Sequence, residues 1–200
     1  MAWINALLLN TSLLAWVVQG LLVGLLAVAA WHDCRWMRIP NWLVLMGMVL
    51  GLVANGLLVP GSGFDSAVLP GGLGWLAALQ GLVLGMVVLL PLYWLRAMGA
   101  GDVKLMGMVG AFIGPASLLG MTLCVLLAGG LISLLLALRT GKLGLLVQNV
   151  RQIFLGNLIK VGAGLAPTLG DLPVSVGKLP YGVAIAIGTI GWMAWRHMTG

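Results

Sequence analysis

Acid, base or nucleophile chemistry needs ionisable or nucleophilic side chains, and this 200-residue chain has few. It holds Asp33, Asp65, Asp102 and Asp171, His32 and His197, Cys34 and Cys124, scattered Ser and Thr, and no Glu. A Ser-His-Asp arrangement needs a His and a Ser at one depth. His32 falls at one boundary of the apolar segments and His197 at the opposite one. A metal site fails similarly, because two distant histidines without Glu do not make a set of three or four ligands. Cys34 has only His32 as a neighbouring base, too little to activate a thiol, and two isolated cysteines form neither a disulfide framework nor a metal finger. Asp33 and Asp102 remain, each at the edge of an apolar run. Two carboxyls held close together cannot both ionise cheaply, so one keeps a proton to donate while the other accepts one.

The elements that must position this pair are hydrophobic. Of the chain, 62% is apolar and 7% charged, where a soluble chain is roughly a quarter charged. That composition excludes a soluble globular fold and predicts an all-α integral membrane protein. The 31 glycines follow no Gly-X-Y period, which excludes collagen and suits close helix packing in lipid. A net charge of +6 suggests nucleic acid until its positions are read. The basic residues stand singly between apolar runs, so no nucleic-acid partner is expected and membrane lipids are.

Stretches of about 20 apolar residues predict six spans, at 12–31, 42–59, 73–95, 103–120, 121–138 and 179–195. The fourth and fifth divide at Gly114-Pro115 and Gly120. With the N-terminus outside, segments 32–41, 96–104 and 139–178 face the cytoplasm. They carry Arg35, Arg38, Arg96, Lys104, Arg139, Lys142, Arg151, Lys160 and Lys178, against Arg196 alone outside. Trp31, Trp36, Trp42 and Trp94 then ring the inner interface, and Trp3, Trp75, Trp192 and Trp195 the outer one, as aromatic belts require. The loop 60–72 reads as an outer connector with a solvated Asp65. Apolar Val147, Val150, Phe154, Leu158 and Val161 recur at helical spacing, predicting an amphipathic helix over 145–161 on the inner leaflet. Ala27-Val28-Ala29 resembles a signal-peptidase site, but no Lys or Arg precedes it, so cleavage is not expected. Residues 1–200 form one polytopic domain without a soluble one.

Each candidate also has a plain structural use. Asp33 ends the first helix as a solvated residue, and Asp102 reads as an N-cap before the run from Val103. Gly99 and Gly101 allow a tight loop and close approach of a substrate backbone. Pro40 and Asn41 initiate the second span. Lys104 and Lys178 serve as inside-positive anchors or as countercharges to the pair. Pro180 and Tyr181 either line the site or kink a helix start, and Asp171 sits in a turn.

Three segments change the weighing. Asp33-Cys34-Arg35-Trp36-Met37-Arg38-Ile39-Pro40-Asn41, Gly99-Ala100-Gly101-Asp102-Val103-Lys104-Leu105 and Lys178-Leu179-Pro180-Tyr181-Gly182 resemble, in order and spacing, the signature of the type IV prepilin peptidases, the GxGD membrane aspartic proteases. The absence of a CxxC pair and the ten residues between the first two spans make the chain similar to the short, peptidase-only branch serving Flp or tight-adherence pili. Methylation activity is not implied. Tyr181 stands where many relatives have Phe.

The resemblance implies that Asp33 and Asp102 are the catalytic dyad. It implies prepilins or pseudopilins as substrates, leader cleavage at the cytoplasmic face of the bacterial inner membrane, and no metal or organic cofactor. Gly99, Gly101, Lys104, Pro40, Asn41, Pro180 and Tyr181 are the expected site-shaping residues. Two alternatives stay open on the sequence: a non-enzymatic pilus or secretion assembly protein, and a proton-coupled transporter using both aspartates as a relay.

Overall fold

The computed structural model describes residues 2–66, 69–94, 98–141, 143–144, 148, 151, 155 and 180–199, with side chains from Thr11 onward. Six helices are seen among them: α1 (Ala2–Trp36), α2 (Asn41–Leu57), α3 (Trp75–Trp94), α4 (Ala100–Ile113), α5 (Pro115–Arg139) and α6 (Tyr181–Thr199). The described residues contain no strand, only isolated bridges from Pro60 to Gly72 and from Gly63 to Gly71. Thr11–Trp36, Trp75–Trp94 and Pro115–Arg139 are long and apolar enough to cross a bilayer, and α2 is a shorter apolar helix. The protein is therefore a helical membrane protein. The expected helix over 145–161 and Asp171 lie outside the described residues, as does Lys178.

α4 is the hub, packed against α2, α3, α5 and α6. From Leu105 onward it is apolar all round, and Leu105, Met106, Met108, Val109 and Ala111 are fully buried, as expected of a helical stretch with no solvent or lipid face. Its approach to α3 needs small residues. A Cβ on Gly81 would collide with the Gly110 carbonyl oxygen, and one on Gly110 with that of Gly81, so the two backbones touch as in small-residue helix pairs in membranes.

The boundary between the fourth and fifth spans differs from the sequence expectation. α4 stops at Ile113, Gly114 turns at φ 80°, and Pro115 begins α5. Gly120 lies inside α5. Hydropathy is continuous across this junction, whereas the backbone is broken there by a left-handed glycine and a residue that has no N–H. The last carbonyls of α4 are taken up by Asn55 of α2, whose Nδ2 donates to Ala111 O (2.8 Å) and Phe112 O (3.0 Å), while its Oδ1 accepts from Leu73 N–H (2.9 Å).

The loop after α2 is more than a connector, and Asp65 is not solvated as expected. Phe64, Asp65 and Ser66 are buried. Gln19 of α1 donates to Phe64 O, Ser117 Oγ donates to Asp65 Oδ2 (2.8 Å), and Arg196 Nε stands 3.6 Å from the same oxygen. His197 Nε2 lies 3.2 Å from Gln19 Oε1, and its ring stacks on Trp16 at 4.9 Å. The loop thus ties the end of α6 to α1 and the start of α5, which solvates the Asp65 charge internally. Asp65→Ala and Arg196→Gln are each expected to lower the unfolding midpoint in detergent. Because Arg196 is half exposed, the coupling in a double-mutant cycle should be about 1 kcal/mol. Strictly additive effects would show that the two charges do not interact.

Candidate active site

At the opposite end of the bundle from this clasp, the C-terminus of α1 meets the N-termini of α2, α4 and α6. α1 continues through Asp33 and closes with Met37 N–H donating to Asp33 O (2.9 Å), Met37 itself being left-handed at φ 51°. Pro40, extended at ψ 126°, is the N-cap of α2, and Asn41 is the first helical residue. Asp33 therefore ends a helix as expected, but it is buried, 7% exposed. It is not solvated.

Asp102 is 8% exposed. It is not the N-cap of α4 but its third helical residue, with Gly99 as the cap. Its Oδ2 accepts the Gly99 N–H at 3.0 Å, half of a capping box whose other half a glycine has no side chain to supply. The neighbouring glycines do not serve backbone strain: Gly99 is extended at φ −85°, and Gly101 is not among the positive-φ residues. A Cβ on Gly101 would make only ordinary contact with Ile39, at 3.5 Å.

The structure brings Asp33, Asp102 and Tyr181 into one neighbourhood. Asp33 and Asp102 lie within electrostatic reach of each other, as do Asp102 and the Tyr181 hydroxyl. Half-buried Pro180 accepts Val183 N–H at 3.2 Å and opens α6. Lys104 points elsewhere. It is exposed, and its Nζ donates to Asn41 Oδ1 at 3.2 Å, which ties the start of α4 to the start of α2. Cys34 is exposed, and the His32 ring packs on Trp36 at 4.7 Å. Among the described residues no three His, Cys, Asp or Glu side chains group as metal ligands.

Gly182 was missed as a site residue when side chains were weighed for chemistry. Its backbone N–H donates to Asp33 Oδ2 at 2.7 Å across 149 positions of sequence. The signal was present in the Pro180-Tyr181-Gly182 segment, but a residue without a side chain does not present itself as a donor. This end of the bundle thus holds two buried carboxylates, each accepting one backbone N–H from a helix start. Three helix N-termini, each carrying a partial positive charge, converge on it. Such an arrangement can hold one carboxylate ionised beside another that is protonated.

Residues 20–137, more than half of the chain, match the model of the type IV leader peptidase family, and this stretch contains both aspartates. The chain belongs to the type IV leader peptidase family. The match ends before α6, so the third side of the site, Pro180 to Gly182, stands on geometry alone. No curated protein and no solved structure matches the chain significantly. Family membership supports a peptidase hydrolase and implies prepilin-like substrates.

Proposed function

We propose that the protein is a membrane aspartic endopeptidase that removes the short basic leader of prepilin-like proteins at the cytoplasmic face of the bacterial inner membrane. Asp33 and Asp102 act as its dyad. The observation that carries the reading is the meeting of two buried carboxylates, one from α1 and one from α4, in a member of the leader peptidase family. In the reaction the ionised carboxylate takes a proton from water, the water oxygen attacks the scissile carbonyl, and the protonated partner donates to the carbonyl oxygen. Collapse of the tetrahedral intermediate breaks the C–N bond, and the departing amine leaves with a proton. The two aspartates titrate as one unit, so neither is assigned acid or base.

The chain forms one domain over residues 1–200, with six spans and its N-terminus outside. The nine inward basic residues and the inner tryptophan ring support that orientation; Trp31, Trp36, Trp42 and Trp94 are all exposed to the surroundings at the aspartate end. Gly99 and Gly101 leave room for a substrate backbone at Asp102, and Pro180 and Tyr181 line the opposite side. Pro40, Asn41 and Lys104 hold the helix starts in place. The lack of a CxxC pair and the ten residues between the first two spans support a peptidase-only enzyme of the Flp type, with pilin or pseudopilin as substrate and no cofactor.

The test is leader removal from a prepilin of the same genome, co-expressed with the parent or with each Asp→Asn variant at equal membrane levels. Cleavage by the parent alone supports the reading. Equal cleavage by all three sinks it, and no cleavage by any favours a scaffold that binds pilin without cutting.

A further inference from the structure

We propose that Gly182 is a positioning residue of the site, its backbone N–H fixing the orientation of the Asp33 carboxylate within the dyad; this rests on the dyad reading above. The two aspartates are held in different ways. Asp102 accepts from Gly99, three residues away at the cap of its own helix, so its orientation is set locally by α4. Asp33 stands on α1 and accepts from the start of α6, so its orientation depends on how α6 docks.

The second residue of a helix has no intrahelical acceptor for its N–H. Gly182 is therefore free to donate, and it does so to a buried carboxylate at 2.7 Å. The approach is possible only without a side chain. A Cβ at position 182 would stand 2.9 Å from Asp33 Oδ2, 3.1 Å from its Cβ and 3.2 Å from its Cγ. The same atom placed on Gly99 or Gly101 would meet its nearest neighbour at 3.4 or 3.5 Å, an ordinary contact. Gly182 is thus the glycine of the site whose missing side chain decides the geometry.

α6 has little room to retreat from an added methyl group. Farther along, Gly188 lies against the Val125 backbone, and at its far end Arg196 is paired with Asp65. The methyl of Gly182→Ala must therefore displace the Asp33 carboxylate. A misplacement of about 1 Å in a reacting group can cost on the order of a hundred-fold in rate. Substrate contacts elsewhere are untouched, so the loss falls on kcat.

The test is steady-state cleavage of the same-genome prepilin by the full-length protein in lipid vesicles, comparing the parent with Gly182→Ala, Gly191→Ala and Asp33→Asn. Gly191 is the control because a Cβ there meets nothing within 4 Å on the same helix. Gly182→Ala is expected to lose about ten-fold or more in kcat with KM within about two-fold, while Gly191→Ala matches the parent. If Gly182→Ala does not accumulate, cell-free incorporation of glycolate at position 182 removes the N–H without adding a side chain, and the same split is expected. A kcat within about two-fold of the parent, or a raised KM at unchanged kcat, overturns the inference. An Asp33→Asn protein that cleaves normally sinks the dyad reading itself; an inactive Asp33→Asn beside a fully active Gly182→Ala sinks only the role of Gly182.

Discussion

Asp33→Asn and Asp102→Asn are each expected to lower kcat for leader removal by roughly a thousand-fold, and the double variant to be no slower than either single one. Asn is the informative replacement because it keeps the shape and the accepted hydrogen bond. Its amide oxygen can take the Gly182 N–H at position 33 and the Gly99 N–H at position 102, the two bonds that hold these side chains now. What it cannot do is exchange a proton with water or with the scissile carbonyl at neutral pH. Asp→Asn also relieves the cost of holding two carboxyls together in a buried site, so the folded protein should be at least as stable as the parent. Activity and stability therefore separate in this experiment. A double variant slower than either single one by the product of both effects would mean that the aspartates work independently, and a two-carboxylate mechanism would not survive that result.

The second large effect is on stability. Asn55→Leu is expected to lower the unfolding midpoint in detergent by about 10 °C, with the activity of the folded fraction nearly intact. Asn55 is 1% exposed, and its single side chain serves Ala111 O, Phe112 O and Leu73 N–H. Leu fills a similar volume but strands two carbonyls and one amide inside the bundle. Each buried unsatisfied group costs about 1–3 kcal/mol, although hydrogen bonds measured inside membrane proteins average nearer 0.6 kcal/mol. A total of about 3 kcal/mol lies between these limits, and at about 2–4 °C per kcal/mol for a chain of this size it gives the stated shift. Asn55→Asp should behave as badly, because a carboxylate accepts but does not donate. A midpoint within about 2 °C of the parent in scanning fluorimetry would show that the end of α4 finds other partners.

Much of this was legible in the sequence, and the parts that were not share a cause. Apolar run length located the helices, and the scarcity of ionisable groups left Asp33 and Asp102 as the pair worth following. The end of α4 was misplaced because hydropathy carries no information about φ, and Gly114 and Gly120 look alike to it. Asp65 read as solvated because its partners, Ser117 and Arg196, stand 52 and 131 positions away, where local polarity gives no hint of them. Asn55 sat unremarked inside an apolar span, although a polar side chain at that depth must satisfy something. Gly182 is silent in the sequence because its contribution is a main-chain N–H, which no side-chain type announces.

The shortness of α4 has a consequence for the water that the reaction consumes. Fourteen residues span about 21 Å, while a bilayer's hydrocarbon layer is about 30 Å thick. Lipid does not feel the shortfall, because α4 is walled off by its neighbours; the longer α1, α3 and α5 set the thickness that the surrounding acyl chains match. The mismatch falls inside the bundle, so one or both ends of its axis are expected to lie below the level of the surrounding membrane surface. A recess lined by helix starts and carboxylates fills with solvent more readily than with acyl chains. For the proposed peptidase, that depth is the route by which water would reach Asp33 and Asp102.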